Sequence, residues 1–137
     1  IEKDEYQKGI DILEEINTAL KQSYIDKEQR AIMQVVVLYN LSKWYGLIGI
    51  HQKGIDASIE GIEICKEFKI GNTLPHLLYN YAWNKEQLIE KGVLSPENKR
   101  ECISYLKRAY YIACAMQQSY IEQSIKGHVV MYYDIKL

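Results

Sequence analysis

Apolar residues along this chain recur at three- and four-residue steps, as in Ile10, Leu13, Ile16 and Leu20. That spacing places them on one face of an α-helix. Strict alternation of apolar and polar residues, the mark of a half-buried strand, is absent over any useful length. The periodicity predicts an all-α chain with helices over about 2–22, 27–50, 53–69, 73–91, 96–117 and 119–136. Both prolines fall at expected helix starts, Thr73-Leu74-Pro75-His76 and Ser95-Pro96-Glu97-Asn98, where the first turn needs no backbone N–H. Ser95 is the expected N-cap, and Glu97 complements the positive end of the helix dipole. Gly71-Asn72 and Gly92 supply the breaks before these starts. The short connections make successive helices antiparallel neighbours.

An internal repeat underlies the helices. Gln7-Lys8-Gly9-Ile10-Asp11 recurs unchanged as Gln52-Lys53-Gly54-Ile55-Asp56, and Gln22-Ser23-Tyr24-Ile25 returns as Gln118-Ser119-Tyr120-Ile121. Leu38-Tyr39-Asn40-Leu41 is echoed by Leu78-Tyr79-Asn80-Tyr81. Matches in a consistent order imply a repeating helical hairpin, with odd-numbered helices of one type and even-numbered helices of the other. Small residues fit this arrangement. Gly49, Gly54 and Gly61 each cost about 1 kcal/mol inside a helix, and close helix–helix approach is the expected compensation. Gly46 serves similarly or loosens the second helix; Ala82, Cys102 and Ala109 are the small residues of the next hairpin. Trp44, Tyr45, Tyr105 and Tyr110 are expected to fill the wider gaps.

Composition narrows the function more than the fold. The chain has 137 residues, 47% of them apolar and 26% charged, which suits one domain with a real core. A net charge of −1 argues against this chain gripping nucleic acid by itself, because phosphate binding needs a basic surface. The longest apolar runs, such as Val35-Val36-Val37-Leu38-Tyr39, are too short to span a bilayer, and no secretory signal opens the chain. Cys102 and Cys114 lie on one predicted helix about 18 Å apart, beyond the reach of a disulfide. With Cys65 they read as free thiols in a reducing cytoplasm. The opening Ile1 leads to the expectation of a piece of a longer protein.

With the hairpins in place, a family likeness becomes legible. Asn40-Leu41-Ser42, followed by Tyr45, Gly49, Gly54 and Gly61, resembles the tetratricopeptide repeat (TPR) pattern of Asn-Leu-Gly, Tyr, Gly, Ala and Ala at the same spacings. Asn80-Tyr81-Ala82, Cys102 and Ala109 match it again, with an insertion around Lys91–Glu97 and with Lys85 in place of the family's aromatic. The resemblance implies a single TPR-like domain over 1–137, a right-handed superhelix of antiparallel hairpins with half-hairpins at both ends. Exposed hairpin faces in such stacks tend to pair, so a homodimer is one implied state. More narrowly, the Tyr-Asn-Leu starts and Gly-Ile-Glu-Ile second helices resemble the C-terminal peptide-sensing domains of RRNPP-type transcriptional regulators of Gram-positive bacteria. That resemblance implies a short signalling peptide as ligand, and DNA contact only through an upstream helix-turn-helix outside this chain.

In TPR-like domains the first helix of each hairpin lines the concave face. The resemblance therefore implicates Val36, Tyr39, Asn40, Lys43 and Leu47 on the second helix. It implicates His76, Tyr79, Asn80, Trp83 and Gln87 on the fourth, and Val130, Tyr133 and Asp134 on the last. Asn40 and Asn80 each offer a donor and an acceptor, suited to the backbone of an extended peptide; each could equally cross-link neighbouring helices. Tyr39, Tyr79, Trp83 and Tyr133 are either aromatic walls for a partner or core. Lys43 is either a carboxylate anchor or solvated surface. His51, His76 and His128 lack metal-ligand spacing, and Glu14-Glu15, Glu60-Glu63 and Glu86-Glu90 read as solvated helix faces. No phosphate loop or nucleophile arrangement is present, so the chain reads as a binding module, with no enzyme activity and no cofactor implied. A general TPR adaptor or oligomerisation module, and a Rap-type modulator of response regulators, are the competing readings.

Overall fold

The computed structural model describes residues 2–137. Six α-helices follow one another: α1 Lys3–Lys21, α2 Lys27–Leu47, α3 His51–Phe68, α4 Leu74–Glu90, α5 Lys99–Ala115 and α6 Ser119–Tyr133. A single 3-10 turn, Pro96–Asn98, leads into α5. The described residues contain no strand. Each helix packs chiefly on its neighbours in sequence through a short turn, so the chain is a row of antiparallel hairpins. Across the row, the backbones of α2 and α4 and of α4 and α6 approach closely, whereas those of α1 and α3 and of α3 and α5 do not; α1 and α3 meet through side chains, Lys21 Nζ lying 3.1 Å from Glu60 Oε1. The even-numbered helices therefore lie closer together than the odd-numbered ones.

Several helix ends differ from the periodicity-based boundaries, for identifiable reasons. α2 stops at Leu47 because Gly49 takes φ +86, a left-handed conformation that glycine adopts without steric cost. The Ile50 N–H then donates to Tyr45 O at 2.8 Å and the Gly49 N–H to Gly46 O at 3.1 Å, the paired bonds of a Schellman cap. Gly49 thus ends a helix rather than permitting close approach, and a Cβ there would meet nothing within 4 Å. α4 ends the same way at Gly92, with φ +76 and the Val93 N–H donating to Leu88 O. Ser95 does not cap with its hydroxyl; the Asn98 amide folds back onto its carbonyl at 3.0 Å. Asp26 is the residue that caps with its side chain, accepting from the Glu28 and Gln29 N–H groups. α6 ends at Tyr133, where Asp134 turns left-handed at φ 54.

The repeat is physical as well as textual. Gln7 Nε2 donates to Asp11 Oδ1 at 2.9 Å, and Gln52 Nε2 donates to Asp56 Oδ1 at 3.0 Å. Ile10 and Ile55 are both buried. Gly9 receives the Trp44 ring and Gly54 receives the Asn84 amide, and these two knobs stand at the same place in α2 and α4. Gly61 admits Leu77, whose methyl carbons would lie 2.8 and 2.9 Å from an added Cβ. One core cluster centres on Leu77, Leu78, Leu106, Ile125 and Val129, a second on Ile10, Leu38, Leu41 and Tyr45, and Ile64 packs against both. All three cysteines are free. Burial pushes Cys65 up to about 11 and Cys102 up to about 12, the latter with help from the nearby Glu86 charge.

Candidate functional site: a groove across the even-numbered helices

The closer-packed even-numbered side carries a groove of about 400 Å³. α2 contributes Tyr39, Lys43 and Leu47; α4 contributes His76, Tyr79, Asn80 and Trp83; α6 contributes Tyr120, Ile121 and Ser124. These residues recur at three- and four-residue steps along each helix, which brings each set to one face. Tyr39 meets His76 edge-on with ring centroids 5.2 Å apart, and Trp83 meets His51 edge-on at 5.7 Å. The walls are thus aromatic and mutually braced. A second hollow continues along the same stripe of α2, lined by Glu28, Ile32 and Val36 with Phe68, Ile70 and Thr73. From Glu28 to Leu47 the stripe runs about 28 Å, the reach of about eight residues of extended chain.

Charge in the main groove comes from one residue. Lys43 is exposed, and no carboxylate lies within ion-pair distance of it among the described residues. Burial lowers the pKa of His76 and so favours the neutral ring, partly offset by a hydrogen bond to the Asn72 backbone. An apolar trough with a single fixed cation favours a ligand that combines apolar side chains with an acidic or carbonyl-rich group.

The two asparagines do not form a ladder. Asn40 Nδ2 donates to Val36 O on its own helix at 2.9 Å, and Asn40 stands outside the groove lining. Asn80 does line it, but its amide spans to α2, donating to Ser42 Oγ at 2.9 Å and facing Tyr39 O at 3.4 Å. That is a helix-to-helix cross-link, made through the amide nitrogen and not through the side-chain oxygen Oδ1. Asn84, which sequence reasoning passed over, completes the link. It is fully buried and donates to Asn80 O at 2.9 Å and Ser42 O at 3.2 Å. Its Oδ1 lies 3.0 Å from His51 Nδ1, so that nitrogen is the donor. Added Cβ atoms at Gly46 and Gly54 would each come within 2.6 Å of this amide.

Gln87, Tyr133 and Asp134 also stand outside the groove. Asp134 is exposed at the end of α6 and Gln87 is half-buried beyond Trp83. Tyr133 turns inward and donates its hydroxyl proton to Glu86. Glu86 corrects the expectation of a solvated helix face, since it is 4% exposed and lies against α6. His128 Nε2 is 2.8 and 3.1 Å from its two carboxylate oxygens. Their separation of 42 residues hid this pair from a reading of local spacing. The α6 wall was missed as well, although Tyr120 belongs to the repeated Gln-Ser-Tyr-Ile block.

Among the described residues no group of His, Cys, Asp and Glu side chains stands close enough to hold a metal ion, and no helix is long and apolar enough to cross a membrane. Comparison with protein-family models, curated proteins and solved structures finds no match to this chain.

Proposed function

We propose that this chain is a peptide-binding domain that takes a short extended segment into the groove across α2, α4 and α6. The observation that carries the reading is the groove itself: three helices converge on about 400 Å³ walled by Tyr39, Tyr79, Trp83 and Tyr120, with Lys43 as its cation. Aromatic walls supply apolar contact at low entropic cost, and Asn80 Oδ1 and the Lys43 ammonium supply orientation. The ligand is a segment of about eight residues with apolar side chains and an acidic or terminal carboxylate near Lys43. The TPR-like resemblance adds a role. The domain would be the sensor of an RRNPP-type transcriptional regulator, wound as a right-handed superhelix and signalling to a DNA-binding segment elsewhere in the protein. Affinity selection from a random octapeptide library tests the core of this reading. Selected peptides should bind wild type and lose at least tenfold in W83A and Y39A with helicity unchanged. Peptides that bind those variants equally well place the site elsewhere.

The adaptor reading is favoured by a different observation. Val130, Met131 and Tyr132 are 46%, 85% and 46% exposed around the C-terminal turn of α6, an apolar helix end suited to a folded partner or a second copy of the chain. Sedimentation of wild type against M131E distinguishes it: a dimer lost on substitution supports pairing through α6.

A further inference from the structure

His128 stands one helical turn beyond Ser124 of the groove wall, at the junction of α4 and α6. Its ring stacks on Tyr132, with centroids 4.4 Å apart, and meets Tyr79 edge-on at 5.3 Å. Nε2 faces the Glu86 carboxylate, which also accepts the Tyr133 hydroxyl proton. An ionised carboxylate is acceptor-only, so Nε2 must carry hydrogen whether the ring is neutral or charged. Nδ1 is then the nitrogen that differs between the neutral and the charged ring, and its partner is the Tyr79 hydroxyl at 3.4 Å. With the ring neutral, Nδ1 accepts and the hydroxyl proton of Tyr79 is committed to it. With the ring protonated, Nδ1–H donates to the hydroxyl oxygen, and the Tyr79 proton is released for another partner.

We propose that His128 sets, through the Tyr79 hydroxyl, whether the α6 end of the groove offers a ligand a hydrogen-bond donor, so that acceptor-bearing ligands bind more tightly when the ring is charged. The proposal rests on the groove being the binding site. His128 is a positioning residue here, since it acts through Tyr79. The titratable groups facing its ring are Glu86 and Tyr79 from α4 and Tyr132 and Tyr133 from its own helix, with Cys102 of α5 beside Glu86 and Tyr133. Burial and then the charge of Glu86 push Tyr79 upward; burial and then the hydrogen bond to Glu86 push Tyr133 upward; and burial pushes Cys102 up to about 12. These three hold their protons throughout the range in which an imidazole titrates, about pH 5–8.

Two measurements test this. Nitrogen-15 shifts of the His128 imidazole, assigned by their absence in H128N, should show Nε2–H with a bare Nδ1 at about pH 8. An Nδ1–H tautomer overturns the proposal. The second uses anilinonaphthalene sulfonate, an apolar anion whose sulfonate only accepts. It is titrated onto the whole chain in an H76Q/W44F background, which removes the other groove imidazole and leaves Trp83 as the single energy-transfer donor. Binding should be about fivefold tighter at pH 5.5 than at pH 8, the size of one hydrogen bond. Y79F, which keeps the ring packing, should flatten the response, as should H128N. Transfer with equal affinity at both pH values overturns the proposal and leaves the groove as a binding site. No transfer at either pH overturns the groove reading and this proposal together.

Discussion

Replacing Gly54 with alanine should destabilise the protein, against the ordinary rule for helix interiors. Helix propensity alone favours the substitution by about 1 kcal/mol. The added Cβ, however, would stand 2.6 Å from Asn84 Nδ2 and 2.8 Å from both Cγ and Oδ1. Asn84 has little freedom to give way, because it is held by Ser42 O, Asn80 O and His51 Nδ1 at 3.2, 2.9 and 3.0 Å. Turning the amide aside strands at least two buried polar groups, each costing about 1–3 kcal/mol. Parting α3 from α4 instead costs a similar amount in lost packing, about 1–3 kcal/mol. Taking about 3 kcal/mol for the obstruction and subtracting the propensity gain leaves a net loss of about 2 kcal/mol. For a chain of this size that lowers Tm by about 6–8 °C. Urea unfolding followed by circular dichroism should show a lower midpoint at unchanged slope. In an N84A background the same substitution should cost nothing or stabilise. A G54A protein as stable as wild type would refute the knob-and-hole account of this junction.

Gly127 provides the contrast, since a Cβ there meets nothing within 4 Å in the middle of α6; G127A should stabilise by about 0.5–1 kcal/mol in the same assay. Because burial lowers the pKa of His76, the unfolded chain binds the more protons as pH falls through the ordinary histidine range. Stability should therefore decline on acidification there, and urea midpoints of H76Q should decline less. Glu101 has its pKa lowered: burial opposes this, but hydrogen bonds from Lys85 and Tyr81 outweigh it. Its contribution is present above the ordinary glutamate range and lost as pH falls through the depressed folded value, and its exposure keeps the effect small, so E101Q should cost under about 1 kcal/mol at pH 7. Cys65 and Cys102 are buried with raised pKa values, and Cys114 is half-buried. A disulfide reagent should label Cys114 first and the other two only as the protein unfolds.

The row of helices was legible because its signal is local and periodic. Each helix placed by apolar spacing is present, and the Gln-Lys-Gly-Ile-Asp repeat even reproduces its internal hydrogen bond at Gln7–Asp11 and Gln52–Asp56. Helix ends were less legible. A glycine at position 49 reads equally as a packing residue or as a left-handed cap, and only the backbone conformation, φ +86, separates the two. Tyr39, Lys43, His76, Tyr79, Asn80 and Trp83, which the TPR-like resemblance implicated, line the α2 and α4 walls of the groove. The residues of the α6 wall were not implicated, because which face of α6 turns inward depends on how the final hairpin seats on α4. That seating involves Glu86, His128 and Tyr133, a glutamate, a histidine and a tyrosine with nothing in their local spacing to join them. Asn84 was hidden for a related reason: an asparagine inside a helix reads as surface until Gly46 and Gly54 are seen to make room for it.

The central claim is that the groove across α2, α4 and α6 receives a peptide. Amide and side-chain shift mapping by NMR, with an octapeptide selected against the intact chain, addresses it most directly. The account predicts that the largest changes fall on Tyr39, Lys43, Leu47, Tyr79, Trp83 and Tyr120, with the odd-numbered helices left unchanged. Changes centred on α1, α3 or α5, or no peptide that perturbs the groove at all, would contradict it.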